Sequence, residues 1–173
     1  MRTPVKIVIS DSSVLMDLAK TELIEPVLAL PFEFMIPDMM LARELLDLGR
    51  YKPDQLVRLG FKVGRLDGTE SARAIAYFRR HRLQLSLNDC FAWRLAEVHR
   101  GILMTGDGDL RELAGQNGVE VHGVLWAIEL MAHHATCRMK RLVDALDQLD
   151  GDPLVRLPKK SLRSLRDKIR GSG

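Results

Sequence analysis

The sequence predicts an α/β protein: a three-layer α/β/α sandwich on a mainly parallel central sheet, with extra helices at the C-terminal end. Three observations predict it. Short apolar runs of strand length recur between Val5 and His122, each followed by a segment with helical spacing. Two of those runs, residues 5–10 and 101–104, end directly on acid-bearing turns. The length of 173 residues, with 46% hydrophobic and 28% charged side chains, suits one domain with a real core.

Residues 5–10, β-branched at four positions, are expected to form a central buried strand. Asp11 follows, then Ser12, Ser13 and a short amphipathic helix over 14–19. Asp11 could cap that helix, but either serine could do the same, which leaves the carboxylate spare. Residues 22–30 read as a helix stopped by Pro31, and 34–36 as a short strand. Pro37 suits the first turn of a helix over 38–48, stopped by Gly49. Glu44 lies on one stripe of that helix with Met40, Leu41 and Leu48. An acid there is costly unless it binds a metal or is paired, and a salt bridge at the stripe's edge explains it equally well.

Residues 51–60 read as loop, 61–66 as a third strand, and 69–80 as a helix capped by Thr69. Ser86 is a natural N-cap for a helix over 87–98 that is apolar nearly all round, so it belongs against the sheet. Asp89, three residues on, makes a capping box with Asp in place of Glu or Gln, and the helix dipole favours it there. The helix leads straight into the strand at 102–104. A strand running back antiparallel to it returns its carboxyl end to the level of Asp89, so Asp89 and Asp107 should share one edge.

After that strand, Thr105-Gly106-Asp107-Gly108-Asp109 turns the chain, its glycines removing the Cβ clash so that two acids crowd one turn. An ordinary polar turn with one Asp capping the next helix is the competing reading. Residues 119–122 form a further strand, and helices follow over 124–133, 135–149 and 159–169. Gly151-Asp152-Pro153 breaks the chain, dividing it into an α/β domain, 1–150, and a basic helical tail, 151–173. Leu142, Leu146 and Leu149 share a stripe that supports either a homodimer or this chain's own core. Met39, Met40, Trp93 and Trp126 read as core residues.

Lys and Arg number 26 against 23 Asp and Glu, a net charge of +3 that permits a polyanionic partner without demanding one. The cations cluster at Arg79, Arg80 and Arg82, at Arg138, Lys140 and Arg141, and along the tail; a charge run of this kind is usually a solvated face. No apolar run approaches the ~20 residues of a membrane span, and the first residues lack signal-peptide architecture. Two cysteines, Cys90 and Cys137, in helix-like segments suggest a reduced, cytoplasmic protein.

Asp11, Glu44, Asp89 and Asp107, with Asp109 as a fifth, thus converge on one edge of the expected sheet. Hard oxygen donors without nitrogen or sulfur suit Mg²⁺ or Mn²⁺, and a carboxylate-held metal suits phosphodiester hydrolysis. No structural-zinc grouping and no phosphate-cradling Gly-rich loop occurs. His133 and Cys137, four apart with His134 adjacent, lack a second ligand pair and read as surface or packing residues.

At these residues the chain resembles the PIN-domain nucleases, especially the small prokaryotic VapC-type toxins and their stand-alone relatives. The matching stretches are Val8-Ile9-Ser10-Asp11-Ser12-Ser13, Ile36-Pro37 with Glu44 on the following helix, Leu85-Ser86-Leu87-Asn88-Asp89, and Leu103-Met104-Thr105-Gly106-Asp107-Gly108-Asp109-Leu110. Together they span about residues 5–121. The resemblance implies a PIN-like fold and a metal-dependent endoribonuclease that prefers single strands. Asp11, Glu44, Asp89 and Asp107 would be its catalytic, metal-binding acids and Asp109 an auxiliary ligand. Ser12 or Thr105 would orient a ligand or a carboxylate. RNA and an antitoxin protein would be the partners of a toxin of this kind. The chain departs from minimal toxins in carrying three helices beyond its last core strand. Two rival readings stand beside this one: a non-catalytic module that binds RNA or a protein through the basic tail, and a DNA-directed nuclease, since nothing here reads a 2′-hydroxyl.

Overall fold

In the computed structural model, which describes residues 5–43 and 51–171, five strands pair in parallel into one sheet. They are β1 (Ile7–Ser10), β2 (Glu33–Pro37), β3 (Lys62–Gly64), β4 (Ile102–Met104) and β5 (Glu120–His122), in the order β3-β2-β1-β4-β5. The helices are α1 (Ser12–Lys20), α2 (Ile24–Leu28), α3 (Asp38–Arg43), α4 (Pro53–Leu59), α5 (Gly68–His81), α6 (Leu87–Val98), α7 (Gly108–Gln116), α8 (Val124–His133), α9 (Met139–Gly151) and α10 (Lys159–Arg170).

Period-two alternation along the strands sorts the core into two halves. Val8, Phe34, Ile36, Ile102 and Met104 enter one cluster, with side chains of α1, α2, α8, α9 and α10. Ile9, Met35 and Leu103 enter the other, with α6 and α7. Both faces of the sheet are therefore covered, which is why its strands read as continuous apolar runs. The three layers expected from the sequence are present, on an all-parallel sheet.

Gly101 sits where β4 begins, and a Cβ on it would stand 2.6 Å from the Ile7 carbonyl oxygen. Only glycine lets the chain enter the sheet so close to β1. β1 is the centre from which strand order runs both ways, β2 on one side and β4 on the other. That reversal opens a crevice beyond the carboxyl ends of β1 and β4, the usual ligand position in such sheets.

The last helices complete the first core half. Leu142, Leu146 and Leu149 are at most 1% exposed, packed with Leu162, Leu165 and Ile169 of α10. The stripe that sequence offered to a second copy is filled by this chain itself. Four of the six cations of α10 are tied down as well. Lys159 pairs with Asp150 (2.6 Å), Arg166 and Arg170 with Asp147 (2.7 and 3.2 Å), and Lys168 with Glu129 (2.7 Å).

Several boundaries differ from the sequence reading for local reasons. α9 starts at Met139 because Ala135 adopts a left-handed backbone, φ +53°, that ends the preceding helix. Glu22, at φ +56°, likewise delays the second helix to Ile24. α5 is capped by Asp67, which accepts from the Glu70 N–H at 2.8 Å, and not by Thr69. Met40 and Trp93 are buried as expected, whereas Met39 and Trp126 are half-buried. The helix expected over 38–48 is seen as far as Arg43; Glu44 lies outside the described residues. Among the described residues no helix is long and apolar enough to cross a membrane.

Candidate active site

Asp11 leaves the end of β1 with its N–H donating to the Met104 carbonyl at 2.9 Å, which continues the β1–β4 ladder by one residue. It occupies the N-cap position of α1, yet its side chain makes no capping bond. Its carboxylate is 3% exposed and collects hydroxyls instead. Thr105 Oγ1 donates at 2.7 Å and Ser13 Oγ at 2.9 Å, both to Oδ2, and Ser12 Oγ donates to Oδ1 at 3.3 Å. Burial pushes the Asp11 carboxyl above the usual carboxylate range, against the opposing pull of Thr105, Ser13 and Ser12.

The same hydroxyls fix the turn after β4. Thr105 Oγ1 accepts from the Asp107 N–H at 3.0 Å, and Ser13 Oγ accepts from the Gly106 N–H at 2.9 Å. A Cβ on Gly106 would stand 3.2 Å from Ser13 Oγ, tighter than ordinary contact. Arg111, from α7, donates through Nη2 to the Thr105 carbonyl at 2.9 Å. Strand ends that are neighbours in the sheet are thus stitched together by side chains as well as by backbone.

Asp107 caps α7, its Oδ1 accepting from the Leu110 N–H at 2.8 Å. Asp109 is exposed in the first turn of that helix. Asp89 forms the capping box anticipated from sequence, Oδ2 accepting from the Ser86 N–H at 2.6 Å while Ser86 Oγ accepts from the Asp89 N–H at 3.1 Å. The Asp89 carboxyl is pushed up to about 6. Burial is the main cause; the Ser86 bonds oppose it, and the negative charges of Asp11 and Asp107 add to it. The acids that end β1 and follow β4 therefore bear on the carboxyl of Asp89, which α6 brings to the same crevice.

α6 holds Asp89 there because it packs on β1, β2 and β4 and is clamped to α5. Arg94 of α6 pairs with both Glu70 and Glu97. Tyr77 of α5 stacks on Trp93 at 4.4 Å and donates to Glu97 at 2.9 Å.

The main influences on Asp11 and Asp89 include no lysine or arginine. Among the described residues, no three His, Cys, Asp or Glu side chains stand close enough to hold a metal between them. The donor chemistry nevertheless fits a hard divalent ion. All the groups are carboxylate or hydroxyl oxygens, and Mg²⁺ keeps several waters and takes only one or two carboxylates directly. His133 and His134 meet edge to face at 5.0 Å and form no such group with Cys137. Sequence reasoning gave Ser13 only a capping role, although a serine two residues past a strand-end acid is within reach of it. Arg111 had no sequence signal.

The family described as DUF3368, a PIN domain, has a model that matches residues 7–170. No curated protein matches the chain.

Proposed function

The chain belongs to the PIN-domain family, a nuclease-type fold, and from that premise we propose that it is a divalent-metal-dependent endoribonuclease cleaving single-stranded RNA. The observation that carries the reading is the placement of Asp11 and Asp107, past the carboxyl ends of β1 and β4, where their charges bear on Asp89 in the first turn of α6. Like charges so placed destabilise the protein unless a cation joins them. Asp11, Asp89 and Asp107 are the residues that would hold Mg²⁺ or Mn²⁺, with Asp109 auxiliary and Glu44 completing the shell or orienting the attacking water. When bound, the ion supplies water activation and neutralises charge on the phosphate. Thr105 and Ser13 keep the Asp11 carboxylate in one orientation.

The test is cleavage of labelled single-stranded RNA, and of DNA of the same sequence, with Mn²⁺ and with EDTA. Asp11→Asn and Asp107→Asn should each lose at least a hundredfold in rate. Full activity in both overturns the assignment. Mn²⁺ should also raise the melting temperature of the wild type but not of Asp11→Asn; at a hundredfold excess over Kd the linkage amounts to ~2.7 kcal/mol. The toxin role in a toxin–antitoxin pair rests on the resemblance to VapC-type proteins. Growth arrest on expression, relieved by Asp11→Asn, would support it.

A second reading is favoured by the caps. Asp89 and Asp107 both serve helix N-termini, as acids in a non-catalytic module that binds RNA or a protein would. Protein saturated with Mn²⁺ that binds RNA and never cleaves it would establish that reading.

A further inference from the structure

We propose that Arg79 and Arg80, at the end of α5, with Arg82 and Leu83, in the turn that leads into Ser86 and Asp89, form the grip that holds single-stranded RNA beside the acid pocket; this rests on the ribonuclease reading above. An acid cluster repels a phosphodiester backbone, so a strand can lie across it only if cations nearby hold its flanking phosphates. The tail is poorly placed to supply them: Lys159, Arg166, Lys168 and Arg170 are already paired with Asp150, Asp147 and Glu129, and Lys160 and Arg163 belong to a helix packed in the opposite core half from α6. Arg79, Arg80 and Arg82 are exposed, and the acids within α5 and α6 other than Asp89 are taken: Glu70 by Arg73 and Arg94, Glu97 by Arg94.

The helix dipole accounts for part of this cluster, since Arg79 and Arg80 lie in the last turn of α5. It does not account for Arg82, past the helix end, nor for Leu83, which is 96% exposed. The turn itself is built. The Gln84 and Leu85 N–H groups both donate to the His81 carbonyl at 2.9 Å, Leu85 is buried, and the capping box follows immediately. Arg82 and Leu83 therefore project from a fixed base four and three residues before the Ser86 cap. A guanidinium plane and an apolar side chain side by side match the two faces of an unpaired nucleotide, its phosphate and its exposed base. A duplex, with its bases stacked away, offers only the first.

The experiment is binding of fluorescein-labelled oligo-uridine to the full chain by anisotropy across a salt series, with EDTA to silence cleavage. The triple variant R79Q/R80Q/R82Q should weaken binding at least tenfold, and the slope of log K against log salt should fall by about 2, near 0.7 per lost phosphate contact. Leu83→Ser should leave that slope unchanged, weaken oligo-uridine binding several-fold and leave binding to duplex RNA as it was. All four side chains are exposed, so the variants should melt with the wild type. Wild-type binding with an unaltered salt slope in the triple variant overturns the grip while sparing the ribonuclease reading. Failure of the wild type to bind or cleave any RNA overturns both.

Discussion

Thr105 and Asp11 are 94 residues apart in sequence, yet the threonine hydroxyl donates to Asp11 Oδ2 at 2.7 Å in the buried seam between β1 and β4. It is the shortest of the three hydroxyl bonds that reach a carboxylate 3% exposed.

Thr105→Val keeps the shape and removes the donor. The buried carboxylate then loses one partner and the Asp107 N–H another, a loss of about 1–3 kcal/mol. Urea unfolding at neutral pH should show it. The deficit should shrink in acid, where Asp11 is uncharged and asks less of its donors. A deficit that is the same at every pH would mean that the Asp11 bond is not its source.

Asp89 and Asp17 both titrate at about 6, against an ordinary 3.8, chiefly through burial. For Asp17, Lys20 opposes the shift and Asp152 adds to it. The folded state then binds more protons than the unfolded chain between 3.8 and about 6, so stability falls as pH rises through that window. Metal-free protein should accordingly melt higher near pH 5 than near pH 7.5. Each group contributes ~1 kcal/mol once its partial exposure is allowed for. Asp89→Asn should reduce the pH slope, with Asp17 and Asp11 keeping their shares, and an unchanged slope would contradict the placement of Asp89.

Gly101→Ala is expected to destabilise by about 1–3 kcal/mol, because its Cβ would meet the backbone oxygen of Ile7 at 2.6 Å and neither strand can give way alone. Gly108→Ala, where nothing lies within 4 Å, is the control and should change stability little. Chemical denaturation of the pair separates close approach from a general glycine effect.

Deleting residues 159–173 tests whether the tail is dispensable to the domain. Leu162, Leu165 and Ile169 lie in the same core half as Val8 of β1, and at about 1.5–3 kcal/mol each their loss amounts to roughly 5–9 kcal/mol. The shortened chain should melt far lower, and the full chain should melt in a single transition. Two separate transitions would show that the tail folds on its own.

Sheet and layers were legible because each strand is short, apolar and bounded, and because an all-parallel sheet leaves little choice of connection. The capping box at Ser86 and Asp89 was legible for a similar reason: its partners are three residues apart. The tail's packing was not, since Leu142, Leu146 and Leu149 look the same whether they meet a second copy or α10. Asp67 was passed over in favour of Thr69, although only its carboxylate stands three residues before the Glu70 N–H. At the candidate site, the acids at strand ends could be named from sequence, but what holds them could not. Ser13 and Thr105 meet Asp11 only once β1 and β4 lie side by side, and no local pattern records that.

The seam between β1 and β4 also sets when the pocket comes into being during synthesis. A nascent chain that has emerged as far as α6 already carries Asp11 and Asp89, but Asp11 still lacks the Met104 carbonyl and the Thr105 hydroxyl. Thr105 in turn is held by the His122 carbonyl, so the crevice closes only after β5 has been made. Until some two-thirds of the protein has left the ribosome, its acids belong to separate fragments, and the growing polypeptide has no assembled pocket.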